Sequence, residues 1–415
     1  MTSHAEYYND EHVCVHHRRI EARKHLSNNS HDAENVLYLV QDSIEEEAIE
    51  LVALRRAGWK VHLLRNTKTS PWDITPPWLL GKVMVVDEPN FSVLSVVKAV
   101  MRFKPVLVLA DQTTTVEVMQ RATREYGWPG CQKDARCRRA IGVLRCSLPN
   151  VGKHWESTLT KRGMQHLARA VGVLVPFSKP VRADRPVNDQ VAMEVRRHGS
   201  VVLKGRNDGG VVVCHRGATT AQPINCSSGG RSGKPASLEQ FVTGITTVYV
   251  AACVDGEVLG GFSLVKQVTL CRTCPSQLVR TFNDPTAAAG MRRLAATLGY
   301  TGIFAADFIT NASGSSFLID FNPRVSNFAA VDAEAAGLPR SLHGLLFDAV
   351  TRGRYPTRSQ REALLPHSAL FSKYHMGVLA TGEAMWPPWL CSDLFLDVPW
   401  RDLWSLRYHM QDSGE

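Results

Sequence analysis

Residues 302–324 read Gly302-Ile-Phe-Ala-Ala-Asp307-Phe-Ile-Thr-Asn311-Ala-Ser-Gly314-Ser-Ser-Phe-Leu-Ile-Asp320-Phe-Asn322-Pro-Arg324. Gly302–Ile309 and Phe317–Phe321 are runs of β-forming residues, and Asn311–Gly314 between them carries turn chemistry, so the stretch predicts a β-hairpin. Residues two apart on an extended chain point the same way, so Asp320 and Asn322 share a face. Asp307 lies on the neighbouring strand and can face them across the hairpin. Two carboxylates and an amide oxygen in that arrangement suit Mg²⁺, which takes hard oxygen ligands and completes its shell with water or phosphate. Arg324 follows closely, and its planar fork can grip a phosphoryl oxygen with two hydrogen bonds. The plain structural alternative is that Asp320 and Asn322 only organise the turn before Pro323.

Around this hairpin the pattern is regular. Pro285 opens a helix that runs to Leu298 and is closed by Gly299. Upstream, Thr247–Val254, Gly260–Val268 and Ser276–Thr281 read as strands, with Asp255-Gly256 as a hairpin turn. A helix is expected over Leu159–Val171, ended by Gly172, with Lys161 in its first turn. Residues 187–198 are helical in pattern, and a strand over 200–204 ends on Lys204. Gly205–Gly210 then forms a glycine-rich tip before a strand over Val211–Cys214; glycines let backbone N–H groups approach an anion. Its order is not that of a P-loop. Residues 217–237, rich in Gly, Ser, Thr and Pro, read as an exposed loop, and Glu239-Gln-Phe241-Val242-Thr-Gly244 as a short hinge strand. Leu338–Val350 reads as a helix.

In the first third, Val36–Val40, Lys60–Leu64, Lys82–Asp87 and Pro105–Ala110 are short apolar strands. They alternate with helical patterns that start after Ser43 and cover 92–103 and 113–126, which implies a mostly parallel sheet. No G-x-G-x-x-G follows the first strand, so a dinucleotide site is not supported. Asp111 stands at the C-terminal end of the fourth strand, where such sheets place ligands, although a lone acid there also serves as a helix cap.

At 415 residues the chain suits roughly two to four compact units. Its 44% hydrophobic and 21% charged residues describe a chain that buries real cores. No run approaches the ~18 apolar residues of a membrane span, and the polar, His-rich start has no signal-peptide core, which points to the cytoplasm. The net charge of +9 favours anionic partners without choosing among them, and no basic–aromatic stripe argues for nucleic acid. The ten cysteines are expected as reduced thiols; Cys271-Arg-Thr-Cys274 and the loose group Cys131, Cys137 and Cys146 lack the pattern of a structural zinc site. Trp386, Trp389, Trp400 and Trp404 crowd the tail, as cover for the main body or as a partner face.

Taken in order, these segments resemble the ATP-grasp superfamily, from about Trp155 to Val350. The most specific part is Leu-Gly-Tyr-Thr-Gly302, the strand with Asp307, and Leu-Ile-Asp320-Phe-Asn322-Pro-Arg324. The nearest branch is the one with carbamoyl-phosphate-synthetase-like grasp modules, which includes amino-acid and peptide ligases. The resemblance implies an α+β ATP-grasp fold preceded by a Rossmann-like α/β domain. The implied organisation is a mobile arm (1–34), the Rossmann-like domain (35–150), a lid subdomain (151–246), a metal-bearing subdomain (247–352) and a Trp-rich extension (353–415). It implies that Lys161 and Lys204 contact ATP phosphates, that Gly205, Gly209 and Gly210 belong to the mobile loop over them, and that Glu239, Phe241 and Val242 bind adenine. Asp307, Asp320 and Asn322 are the implied ligands of Mg²⁺ or Mn²⁺, and Arg324, with Lys204, attends the transferred phosphoryl group. Three departures stand out. Asp320 replaces a usual Glu, the acid expected beyond the hinge for ribose is absent from Gly244-Ile-Thr-Thr-Val, and the lid loop carries Arg206 and Asp208.

The implied activity is an ATP-dependent ligase that joins a small-molecule carboxylate to an amine through an acyl phosphate, in a homodimer. Lys266, Arg272 and Arg280 are candidates to hold a substrate carboxylate, with plain surface charge as the alternative. Two other functions keep the fold: phosphoryl transfer to a hydroxyl or carbamate, and a non-catalytic nucleotide-binding regulatory protein.

Overall fold

The computed structural model describes residues 34–41, 44–66, 82–86, 91–125, 134–148, 160–205, 211–219, 222–226, 235–269, 276–330, 340–361 and 370–372. The His-rich arm and the four tail tryptophans lie outside them, as do Cys271, Arg272 and Cys274.

The first part of the chain runs β1 (Asn35–Val40), α1 (Ile44–Ala57), β2 (Lys60–Asn66), β3 (Val83–Val86), α2 (Val93–Phe103), β4 (Leu107–Ala110), α3 (Thr113–Glu125) and α4 (Ala135–Cys146). The strands form one parallel sheet in the order β3-β2-β1-β4. Every residue of β1 is buried, because a parallel strand is covered on both faces. Val36, Tyr38 and Val40 enter one core, and Leu37 and Leu39 the other. Helix α4 was not expected from the sequence, where only its cysteines drew notice. Asp134 starts it, its side chain accepting from the Arg136 N–H, and Ile141 and Leu144 are buried on its inner face. The expectation of reduced thiols fails at two positions: Cys137 and Cys214 are disulfide-bonded.

Next come α5 (Lys161–Ala170), β5 (Ser178–Pro180), α6 (Val187–His198), β6 (Ser200–Gly205), β7 (Val211–Thr219), β8 (Gln222–Cys226) and β9 (Pro235–Gln240). These five strands make an antiparallel sheet in the order β5-β9-β6-β7-β8. The exposed loop expected over 217–237 is corrected here. β7 continues to Thr219, and β8 and the start of β9 come from the same stretch. Its Gly, Ser and Pro content argues against strands locally, but pairing to β6 and β7 supplies the backbone hydrogen bonds that override propensity.

The third sheet holds β10 (Ile245–Val254), β11 (Glu257–Thr269), β12 (Ser276–Phe282), β13 (Gly302–Thr310), β14 (Ser316–Asn322) and β15 (Leu370–Ser372). Helix α7 (Pro285–Leu298) stands between β12 and β13; a 3-10 turn (Asn327–Ala330), α8 (Leu342–Arg352) and α9 (Arg358–Arg361) follow β14. The order is β14-β13-β10-β11-β12-β15, with every pairing antiparallel. Asp255 and Gly256 both have positive φ (51° and 83°), as the tight β10–β11 turn requires. Helix α8 starts later than expected, at Leu342, because the Ser341 hydroxyl caps it by accepting from the Gly344 N–H.

This sheet buries both faces. Tyr249, Ala251, Phe304 and Phe308 pack against α5 and α7. Val248, Val250, Leu264 and Ile303 join a core that continues through α8 and α1 to Val36 and Tyr38 of β1. The two sheets are also stitched by polar contacts. The Val325 N–H donates to the Ala110 carbonyl (3.2 Å), and Trp59 Nε1 donates to the His343 carbonyl (3.3 Å). His343 Nε2 lies 2.7 Å from Glu50 Oε2, with both side chains fully buried. Among the described residues no helix is long and apolar enough to cross a membrane.

Removing the partner of a buried carboxylate leaves that group without compensation, at a cost of about 3–5 kcal/mol. His343→Leu is therefore expected to lower unfolding free energy by about that much, and Glu50→Leu combined with it to recover most of the loss. Urea titration of the three proteins checks this.

Candidate active site

The site begins with a mismatch in strand length. Asp307 pairs with Asp320 and Ala305 with Asn322, but Phe308 pairs with Leu318, so Ile319 is an extra residue on β14. Such a bulge leaves one backbone group outside the ladder and re-aims the side chains beside it. Phe308 and Leu318 remain in the core at 1% exposure each, while Asp320 turns to Asp307. The sequence-based expectation that Asp307, Asp320 and Asn322 meet on one face agrees with this register. Asn322 Nδ2 reaches Asp307 Oδ2 at 3.4 Å.

Two ammonium groups meet the two carboxylates. Lys161 Nζ is 3.2 Å from Asp320 Oδ2. It stands in the first turn of α5, whose start is fixed by the Thr160 hydroxyl accepting from the Gly163 N–H. Lys266 Nζ, on β11, reaches past β10 to Asp307 Oδ1 at 2.7 Å. The remaining Asp320 oxygen accepts from the Phe321 N–H (3.1 Å). Of the three residues proposed from the sequence for a substrate carboxylate, Lys266 is thus committed to Asp307. Arg280 pairs with Val265, so it points to the opposite face from Lys266, and Arg272 lies outside the described residues.

The second sheet contributes from above. Lys204, near the end of β6, donates to the Ile319 carbonyl at 2.8 Å, the group the bulge takes out of the ladder. Its Nζ also lies 2.7 Å from Glu239 Oε2 on the adjacent strand β9. Lys204 and Glu239 are 7% and 3% exposed, so this pair is shielded from water. Beyond Glu239, the half-buried Phe241 sets its ring edge-on to His215 (centroids 5.6 Å apart), and Val242 is half-buried beside it. The Gln240 N–H donates to the Phe177 carbonyl (2.8 Å), and the Leu318 N–H to the Leu174 carbonyl (2.8 Å). Gly244 passes so close to β13 that a Cβ there would stand 2.2 Å from the Thr310 carbonyl oxygen. Gly205 ends β6, whereas Gly209 and Gly210 lie outside the described residues.

Arg324 follows β14. Its Nη1 donates to the Val325 carbonyl (3.2 Å), and its Nε is buried without a hydrogen-bond partner among the described residues. A buried guanidinium N–H without an acceptor suits an anion as its partner. No cluster of three or more His, Cys, Asp or Glu side chains among the described residues is placed to hold a metal. The candidate set offers two carboxylates and one amide, a donor set that fits Mg²⁺ when phosphate supplies the rest. At the end of β4, Asp111 Oδ2 accepts from the Gln41 N–H (2.9 Å), and Thr115 Oγ1 donates to its other oxygen (3.5 Å), which gives this acid a structural use.

Sequence reasoning missed two features: the Lys266–Asp307 pair and the bulge. The first needs the strand order, which places only β10 between β11 and β13. A signal for the second exists in the hairpin, where the two acids are in register only if one arm carries an extra residue.

No protein-family model matches the chain, and no curated protein matches it in sequence. Solved structures do. The L-amino acid ligase from Bacillus licheniformis superposes with a TM-score of 0.53 at 13% identity, covering 81% of this chain and 78% of that one. The N5-carboxyaminoimidazole synthase from Aspergillus clavatus, solved with ADP, gives 0.53 at 14% identity, covering 81% of each chain. The biotin carboxylase domain of the Hydrogenobacter thermophilus 2-oxoglutarate carboxylase, solved with MgADP, gives 0.53 at 14% identity, covering 80% of this chain and 72% of that one. These are ATP-grasp ligases, and the likeness establishes an ATP-grasp fold for this chain.

Burial ranks the ion pairs. Glu239→Ala would leave the Lys204 ammonium shielded from water without its counter-charge, and a loss of about 3–5 kcal/mol is expected. Lys161→Met breaks a pair whose side chains are each 26% exposed, and a loss of under about 1 kcal/mol is expected. Chemical denaturation of both variants tests the order.

Proposed function

We propose that this chain is an ATP-dependent carboxylate–amine ligase that joins small molecules, such as amino acids, through an acyl-phosphate intermediate. The observation that carries the proposal is the contact of Lys204 with the Ile319 carbonyl. It brings a lysine of the second sheet to the bulge beside Asp320, where Lys161, Lys266, Asp307 and Asn322 already converge. Six polar side chains from five separate elements meet there, and a polyphosphate accounts for their meeting.

In this reading ATP lies between the second and third sheets. Lys161 and Lys204 orient its phosphates and offset their charge, and Arg324 offers its unpartnered Nε to the transferred phosphoryl group. Asp307, Asp320 and Asn322 would hold Mg²⁺, which when bound neutralises and aligns phosphate oxygens. Glu239, Phe241 and Val242 would bound the adenine, with Glu239 held in place by Lys204. A substrate carboxylate attacks the γ-phosphorus, ADP leaves, and an amine displaces phosphate from the acyl phosphate. The segment between β6 and β7, with Gly209 and Gly210, would exclude water that otherwise hydrolyses the intermediate.

The same reading divides the chain into a Rossmann-like domain (35–150), a lid (151–246), a metal-bearing part (247–352) and an extension (353–415). It places the protein in the cytoplasm, as a homodimer that acts on small molecules. The B. licheniformis protein, an L-amino acid ligase, supports amino acids as the substrate class.

Phosphate release with ATP, Mg²⁺ and a pool of amino acids is the test, with mass spectrometry of condensed products. Tight ADP binding without turnover on any pool would favour a regulatory nucleotide-binding protein instead. Asp320→Ala is expected to reduce phosphate release at least a hundredfold while the far-UV circular dichroism stays unchanged, because Asp320 is partly exposed and its loss empties no core. Full activity in that variant would refute the metal assignment.

A further inference from the structure

The charges on the two carboxylates and their two lysines balance before any ligand arrives. Asp307 and Asp320 contribute two negative charges, and Lys266 and Lys161 contribute two positive ones at 2.7 Å and 3.2 Å. The carboxylate oxygens are also occupied as acceptors. Asp307 receives Lys266 on Oδ1 and Asn322 on Oδ2, and Asp320 receives Phe321 N–H on Oδ1 and Lys161 on Oδ2. The nearby Lys204–Glu239 pair is neutral as a unit, and Arg324 adds a further positive charge. A divalent cation approaching this set alone meets carboxylates whose field is already cancelled. It must also displace an ammonium from a short, partly buried contact.

A triphosphate changes that sum. It brings about four negative charges, which draw on the same ammonium groups and leave the carboxylates a cation's best partner. Of the two lysines, Lys266 makes the shorter contact and is less exposed, at 18% against 26% for Lys161. Its strand β11 is paired on both sides, by β10 and β12, so its base does not move away freely.

We infer that Lys266 is a positioning residue that keeps the cation site shut until nucleotide arrives: its ammonium holds the place on Asp307 that a divalent metal takes, so metal and nucleotide load together. This rests on the proposed nucleotide site, and it deepens that reading by assigning an order of assembly to it.

The test uses Mn²⁺ as the probe, with bound ion counted by electron paramagnetic resonance on the full chain. In the absence of nucleotide, the wild-type chain is expected to bind Mn²⁺ weakly. Lys266→Met is expected to bind it at least about tenfold more tightly, since removing one unit charge a few ångströms from a dication shifts the energy by more than a factor of ten in affinity at an effective dielectric of ~40. Lys266→Arg keeps the charge and is expected to behave as wild type. Adding ADP is expected to tighten Mn²⁺ binding to wild type and to narrow the gap to Lys266→Met. Equal nucleotide-free Mn²⁺ affinity of wild type and Lys266→Met would overturn the inference, as would Lys266→Arg binding as tightly as Lys266→Met. Thermal unfolding of each variant verifies that the comparison is between folded proteins. ADP binding measured separately by fluorescence judges the ligase reading: its absence would refute the nucleotide site, whereas the nucleotide-free comparison decides the role of Lys266.

Discussion

Each acidic side chain at the candidate site is answered by a lysine from a different element. α5 supplies Lys161 to Asp320 of β14, β11 supplies Lys266 to Asp307 of β13, and β6 supplies Lys204 to Glu239 of β9. Pairing offsets the cost of placing charge this close to a core, most of all for Lys204 and Glu239, which are shielded from water. The β13–β14 hairpin can therefore carry two carboxylates at the margin of a sheet that is otherwise packed on both faces. Lys204 extends the constraint between sheets, because its second partner is a carbonyl of β14.

The six-stranded sheet also joins the rest of the molecule. One apolar core runs from its Val248–Ile303 face through α8 and α1 to the first sheet. Buried polar links at Ala110–Val325 and Glu50–His343 fix the register of that junction, which apolar packing alone leaves loose. The C-terminal ends of β1 and β4 come to lie beside the segment that follows β14, and so beside Arg324. In parallel sheets that edge is where ligands commonly bind, and here it lies against Val325, the residue after Arg324.

Much of this was legible in the chain. The alternation in residues 302–324 was enough to place Asp307, Asp320 and Asn322 on one face, because side-chain period and hairpin pairing are local rules. Lys161 in the first turn of a helix and Lys204 on a strand before a glycine-rich turn were placed from local signals, whereas their roles came from the resemblance alone. What was not legible depends on pairing across distance. β8 and β9 arise from a stretch whose composition suggests a loop, and only their neighbours in the sheet make them strands. The role of Lys266 follows from the order of β11, β10 and β13, which no spacing in the sequence encodes. Helix α4 was overlooked because its arginine-rich outer face masks a modest apolar stripe. The disulfide bonding of Cys137 and Cys214 contradicts a default drawn from compartment statistics rather than from geometry.

Two straps connect the second sheet to the third. One passes through Leu174 and Phe177; its Leu174 carbonyl is pinned to β14 by the Leu318 N–H, and its Phe177 carbonyl holds the Gln240 N–H of the other. The second strap runs from Gln240 to Ile245 and is pressed against β13 at Gly244, where no side chain fits. The straps are laced together, and each is clamped to a hairpin strand. Displacing either strap must break a backbone hydrogen bond or force Gly244 into Thr310. Glu239 stands one residue before the second strap and holds Lys204, so where the straps lie also sets how that ammonium meets the Ile319 carbonyl.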